Sequence, residues 1–332
     1  MTVVRRRPES SYRTVCPQIT YLKMWVLILI FFGLYSVVKL MRTLHIGNYG
    51  SRYVLVTGCD SGFGNMLVKK LDIMGFNVFA ACFTTAGALE LKQVCTDRVL
   101  TLQLDVRRDD SIQSALGLWG LVNNAGIAGS VGWSDWLKKQ DYVDCLDINL
   151  FGLIEVTNAF LPLVRKGNGR VVNTASILGR ITAGSAPYVI SKYGVEAYSD
   201  CLRREQYKSH VSVHIVEPGF FRTTITDPHA VRDSLDTSFK KASRDVQEYY
   251  GNVFLKKVLD HAKKTLDVLA SPDVHQVVDA YTHALTARFP KTRYVVGWDG
   301  NYFFRPLWNL PTCLSDLILG YGYPTPKEVH RR

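Results

Sequence analysis

Past Tyr49-Gly50 the chain alternates short, almost wholly apolar runs with longer amphipathic stretches, the signature of a parallel sheet covered by helices on both faces. The runs are Tyr53–Thr57, Asn77–Cys82, Val99–Asp105, Leu118–Asn123, Arg170–Ala175, Val211–Glu217 and Arg293–Val296. YVLVT and VSVHIV hardly alternate with polar residues, as expected of strands buried on both faces. The pattern predicts an α/β fold, a doubly wound parallel sheet of the Rossmann-like kind with about seven strands. From about residue 229 to 288 the composition turns helical and more polar, and the C-terminus becomes aromatic and proline-bearing (YFFRPLWNLP). No linker splits off a second unit, so residues 50–332 read as one domain.

Ahead of this body, Met24–Val38 carries no charge. With Tyr21, Leu22, Leu40 and Met41 the run reaches about 20 residues, enough to cross a hydrocarbon core with Lys23 and Lys39 snorkelling. Two other readings are a buried helix of a soluble domain and a cleaved signal peptide. Basic residues on both flanks, with Trp25 and Tyr21 at one end, argue against the first. The lack of an A-x-A-like site argues against the second. The expected layout is a basic tail at 1–20, a single-pass anchor at 21–42, then the body. Five basic residues precede the apolar run and three follow, which places the body on the lumenal side.

Composition narrows the function. Of the net charge of +11, residues 1–52 hold +7 (eight basic side chains, one acid), leaving +4 for the other 280 residues. A nucleic-acid partner is therefore not expected. Seven cysteines, none in CxxC, fit neither a zinc ribbon nor a disulfide scaffold, and no metal is expected.

The first strand runs into Thr57-Gly58-Cys59-Asp60-Ser61-Gly62-Phe63-Gly64 and then into an apolar helix, Met66–Met74. In that context Gly58, Gly62 and Gly64 let the backbone approach a pyrophosphate resting on the helix N-terminus, with Ser61 and Phe63 beside it. The second strand ends in Ala81-Cys82-Phe83-Thr84-Thr85, with no base to neutralise a 2′-phosphate, which predicts NAD. Asp105 and Val106, ending the third strand, are placed to meet the adenine; Asp105 as a helix cap is the alternative. Tyr188 and Lys192, four residues apart in YVISK, share one helix face. The ammonium is expected to lower the phenol's pKa so that Tyr188 exchanges a proton with an alcohol or carbonyl. Ser176, just past the RVVNTA strand, is placed to hold the substrate oxygen.

Together TGCDSGFG, NNAG at Asn123–Gly126, Asn149, Ser176, YVISK and Pro218-Gly219 resemble the short-chain dehydrogenases/reductases over about residues 50–320. GCDSGFG, AACFT, LWGLVNNAG, NLFGLIEVT, SKYGVEAYSD and LRRE are similar to the membrane-bound retinol and hydroxysteroid dehydrogenases. The resemblance implies an endoplasmic reticulum enzyme using NAD, acting on retinoid or 3α/17β-hydroxysteroid alcohols, with a homodimer as its assembly. It also implies a water relay through Asn149, a grip on the nicotinamide ribose by Lys192, and cofactor contacts at Asn124, Ala125, Gly126, Pro218, Gly219 and Thr223. Residues 224–270 would form the substrate lid.

The chain departs from the pattern between its third and fourth strands, where only residues 107–117 replace a full helix. Eleven helical residues span about 16 Å and extended ones about 36 Å. The strand ends to be joined lie some 22 Å apart. One or two turns near Ser111–Leu116 are the most that fit. The expected consequence is a sheet face left partly bare, hence lower stability and activity, with an inactive lipid-binding protein as the alternative function.

Overall fold

The computed structural model describes residues 17–105, 117–321 and 323–326. A helix, α1 (Pro17–Met41), leads into strands β1 (Tyr53–Thr57), β2 (Asn77–Cys82), β3 (Val99–Gln103), β4 (Gly120–Asn123), β5 (Arg170–Thr174), β6 (Ser212–Pro218) and β7 (Arg293–Val296). They form one seven-stranded, all-parallel sheet in the order β3-β2-β1-β4-β5-β6-β7. The strands match the expected runs within two residues at each end. β3 stops at Gln103, so Asp105 lies just past the strand rather than in it.

The intervening helices are α2 (Gly62–Ile73), α3 (Thr85–Val94), α4 (Lys139–Leu146), α5 (Gly152–Lys166), α6 (Ala186–Glu205), α7 (Pro228–Lys241), α8 (Arg244–Leu269) and α9 (His275–Thr286). After β7 come a π-helical turn (Asp299–Phe304), the short α10 (Arg305–Leu307) and α11 (Thr312–Gly320). Alternate residues of each strand face opposite layers. Val54, Val56, Val78 and Ala80 pack against α2 and α9 on one face. Leu55, Leu121, Val171 and Val213 pack against Phe160, Val164 and Leu202 of α5 and α6 on the other. Each such fully buried aliphatic side chain contributes about 1.5–3 kcal/mol.

That second face thins toward β3. Tyr53, Phe79, Leu102 and Leu104 are half-buried and Leu100 is exposed. Of the shortened crossover, 107–117, residues 107–116 lie outside the described residues.

From Met24 to Met41, α1 exposes apolar side chains almost throughout, including Leu27, Leu29, Phe31 and Leu34. Its far end is fixed to the body. The Arg288 N–H donates to the Leu44 carbonyl (2.7 Å), the Ile46 N–H to the Thr286 carbonyl (2.8 Å), and His283 Nε2 to the Arg42 carbonyl (3.0 Å).

Candidate active site

Parallel strands deliver their C-terminal ends to one edge, and two cavities open there. The first, about 800 Å³, runs over the ends of β1, β2, β4 and β5. Gly58 adopts φ 68°, where L-residues are strained, and a Cβ on it would sit 2.7 Å from the Ala125 Cα. The β1 and β4 exits are thus pressed together. Thr57 Oγ1 accepts from the backbone N–H groups of Asn124 (3.0 Å) and Ala125 (3.1 Å), and Asn124 Nδ2 donates to the carbonyls of Thr57 and Gly58 (both 3.0 Å). Tyr281, buried on α9, closes the set by donating to Asn124 Oδ1 (3.3 Å) and sharing a 2.8 Å hydrogen bond with Thr174. Neither Thr57 nor Tyr281 stands out in the sequence, where they read as strand and core residues.

Ser61, Gly62 and Phe63 at the start of α2, with Asp105, Gly126 and Thr223, also line this first cavity. Gly64 lies one turn into α2, against Gly58 and Asn124. Val106 lies outside the described residues. The glycine loop, the α2 N-terminus and a crevice of this size make a donor set that fits a dinucleotide.

A carboxylate stands at the β2 end of that crevice, although the β2 edge itself has none. Asp60 folds back onto it, accepting from the N–H groups of Phe83 (2.8 Å) and Thr84 (2.7 Å) and from Thr84 Oγ1 (2.6 Å). Burial pushes Asp60 up, but these hydrogen bonds to Thr84 and Phe83 outweigh it and hold the carboxyl below its ordinary range.

The second cavity, about 590 Å³, is mostly apolar: Val131, Trp133, Leu235, Phe254 and Val258 are among its walls, and α7 and α8 supply one side. α8 breaks at Gly251 (φ 75°). Beneath the cavity Trp136, Phe239, Tyr250 and Phe254 form an aromatic floor with ring centres 4.8–6.2 Å apart.

The two cavities meet at Ser176, Tyr188 and Gly219, so the sequence-predicted reacting residues lie where the crevices join. Ser176 caps the turn after β5, its hydroxyl accepting from the Leu178 N–H (3.1 Å), and it lines both cavities together with Tyr188. Lys192 Nζ lies 5.6 Å from the Tyr188 ring centre and donates to the Thr174 carbonyl (2.9 Å).

The expectation of a lowered phenol pKa is corrected here. Burial pushes Tyr188 up to about 12, against the Ser176 hydrogen bond that lowers it, and burial brings Lys192 down to about 8. At Lys192 desolvation outweighs the charges of Cys145 and Glu196, and at Tyr188 the Cys145 charge adds to it.

Asn149 sits in a π-helical turn (Asp147–Phe151) between α4 and α5, a distortion common at functional sites. Its side chain is committed to structure. Oδ1 accepts from the Ile127 N–H (2.8 Å), and Nδ2 donates to the Ile127 carbonyl (2.9 Å) and Ser191 Oγ (3.0 Å). These contacts fix the β4 exit against α6, and Oδ1 keeps a second lone pair beyond its bond to the Ile127 N–H.

Pro218 ends β6, and the following turn is held by a residue the sequence did not flag. Asp299, buried in the π-helical turn after β7, accepts from the Phe220 N–H (2.7 Å), and Gly219 packs against its carboxylate. Burial raises its pKa despite the Phe220 and Gly300 N–H donors.

Comparison with known proteins agrees with this geometry. The short chain dehydrogenase family model matches residues 52–232. The chain is 44% identical to retinol dehydrogenase 7 of Rattus norvegicus and to 17-beta-hydroxysteroid dehydrogenase type 6 of Bos taurus, each alignment covering 92% of this chain and all of the relative. Among solved structures it shares its fold with a short chain dehydrogenase/reductase from Burkholderia phymatum in complex with NAD. That match has a TM-score of 0.64 and 18% identity, over 85% of this chain and 98% of the other.

Proposed function

This chain belongs to the short-chain dehydrogenase family, and from that premise we propose a membrane-anchored, NAD-dependent alcohol dehydrogenase that interconverts retinol and retinal. One observation carries the reading: Ser176, Tyr188 and Lys192 converge where a dinucleotide-sized crevice opens into an apolar cavity. The cofactor supplies the hydride acceptor and donor. The chain's residues do the rest. Ser176 Oγ holds the substrate oxygen, the Tyr188 hydroxyl gives or takes its proton, and Lys192 stabilises the phenolate. Gly58, Gly62 and Gly64, with Asn124–Gly126, cradle the dinucleotide; Pro218, Gly219 and Thr223 border its nicotinamide end. Asn149 positions Ile127 and would carry the water relay beyond Lys192.

NAD rather than NADP is supported by Asp60, whose carboxylate stands where a 2′-phosphate would need a cation. The hydroxysteroid reading rests on equal identity to the type 6 17-beta-hydroxysteroid dehydrogenase and on walls that would take a flat sterol as readily as a polyene. The exposed apolar α1 supports single-pass anchoring, in the endoplasmic reticulum with a lumenal body.

Membranes carrying the chain should oxidise retinol or androstanediol with NAD, and Tyr188→Phe should abolish turnover while cofactor binding persists. A near-normal rate in Tyr188→Phe would end this mechanism. Cofactor binding without turnover of either alcohol would favour a lipid-binding protein, and kcat/KM as high with NADP would overturn the cofactor choice.

A further inference from the structure

A smaller cavity, about 240 Å³, lies beside the apolar one, between the loop from β4 to α4 and helix α7. α7 has one face on each. Val231 and Leu235 line the apolar cavity, whereas Ser234, Ser238 and Lys241, at i, i+4 and i+7, line the polar one. The loop divides in the same way, with Val131 and Trp133 on the apolar side and Trp136 and Lys138 on the polar side. Across the join the Val131 N–H donates to Ser234 Oγ (2.9 Å).

The polar wall is rich in donors that the protein leaves unpaired. Trp136 is 2% exposed, and its indole N–H, which can only donate, has no acceptor among the described residues. Buried donors without a partner are rare and point to a ligand, ion or water. Ser238, 6% exposed, adds a hydroxyl. Asp141 stays below its ordinary range although burial raises it, held there by the Ser130 hydroxyl (2.6 Å), the Lys138 N–H (2.7 Å) and the charges of Lys241 and Lys138. Both its oxygens are thus occupied, and the two ammonium groups, which form no ion pair among the described residues, gather around it. The other acid on the wall, Asp233, is exposed.

This chemistry selects the ligand. A cation would meet Lys138 and Lys241, and an apolar molecule would leave the buried donors unpaired. A carboxylate holds two oxygens in one plane, whereas a tetrahedral oxyanion can accept from the loop and from α7 at once. At roughly 30 Å³ per water-sized atom a five-atom ion fills about 150 Å³, leaving room for the stem of a monoester. We propose that this cavity binds a phosphate group, which accepts from Trp136 and Lys138 on the loop and from Ser238 and Lys241 on α7. Bound there, it ties α7 to the loop and holds Val231 and Leu235 in the wall of the apolar cavity.

The full detergent-solubilised chain, with NAD present to fill the dinucleotide crevice, would be titrated with inorganic phosphate and with glycerol 3-phosphate, against sodium chloride at equal ionic strength. Binding should saturate, and ligand at about 100 times Kd should raise Tm by about 4 °C. Lys241→Ala should weaken it about tenfold or more, as should Trp136→Phe, which keeps the ring packing and removes the N–H. Asp233→Asn should tighten binding about threefold. Lys92→Ala, an exposed cation on α3 at the β3 edge, should leave Kd unchanged. Bound phosphate should slow amide exchange across 228–241 about threefold or more. Tighter binding of the ester identifies an organic phosphate and tighter binding of the free ion inorganic phosphate; either upholds the site. Phosphate that acts only as chloride does overturns the proposal. So does a loss in Lys92→Ala equal to that in Lys241→Ala, or full binding by Trp136→Phe. Unchanged exchange in α7 at saturation overturns the tie between helix and loop.

Discussion

Asp299→Ala tests whether the turn after β6 is held from behind. The carboxylate is buried and receives the Phe220 N–H at 2.7 Å, a hydrogen bond to a charged acceptor. Its loss costs about 1.5–3 kcal/mol and leaves a buried N–H without a partner. With an unfolding entropy of about 2.1 cal/mol/K per residue over some 280 body residues, about 2.5 kcal/mol lowers Tm by about 4 °C. The turn also carries Pro218 and Gly219, which border the proposed nicotinamide site. If about 1.4 kcal/mol of the loss appears as disorder there, cofactor KM rises about tenfold. Asp299→Asn keeps one acceptor oxygen and should lie between the two. Detergent-solubilised enzyme serves for both measurements, by thermal melting and by initial rates against cofactor concentration. A lower Tm with unchanged cofactor KM would refute the positioning argument, and no change in either would refute the reading of the hydrogen bond as well.

His214 is buried, donating from Nδ1 to the Lys291 carbonyl and accepting from Ser212 at Nε2, and burial lowers its pKa from 6.5 to about 4. The unfolded chain therefore binds the extra proton between about pH 6.5 and 4, and about 3 kcal/mol of stability is lost as pH falls through that window. Urea unfolding at pH 7 and 4.5 should show a shallower loss in His214→Gln than in the parent; equal losses would exclude His214 as the cause. Arg293 bridges the buried Glu196 and Glu217, so Arg293→Met should destabilise by about 3–5 kcal/mol through uncompensated carboxylates. A chemical-denaturation loss under 1 kcal/mol would contradict that estimate. Asp60→Ser removes the carboxylate at the β2 edge and should improve the NADP-to-NAD ratio of kcat/KM about tenfold, an unchanged ratio telling against the charge argument.

The sheet was legible because its strands are buried on both faces and so spelled as unbroken apolar runs, and the turns between them carry chemistry that only a tight crevice requires. The convergence of Ser176, Tyr188 and Lys192 was legible for the same reason: one strand end and one helix face leave little freedom. Asp60 was not, because its role comes from folding back across 24 residues onto Thr84. Asp299 lies 79 residues from its partner Phe220, in a turn whose sequence, DGNYFF, looks like an ordinary loop. Long-range hydrogen bonds of this sort leave no periodicity to read.

The protonation of the reacting pair shows where pattern reading stops altogether. At 5.6 Å from the ring centre and an effective dielectric of 20, a charged Lys192 is worth about 3 kcal/mol to the phenolate. That is the effect the YVISK spacing suggests. The same fold that brings the two together also strips their water, and the desolvation acts on both in the direction of neutrality. Tyr188 accordingly rests protonated, as a donor to a carbonyl, with Lys192 close to its own titration at about 8. Proton exchange with an alcohol or a carbonyl then depends on how far charge and hydrogen bonds in the loaded crevice offset the burial of the phenolate.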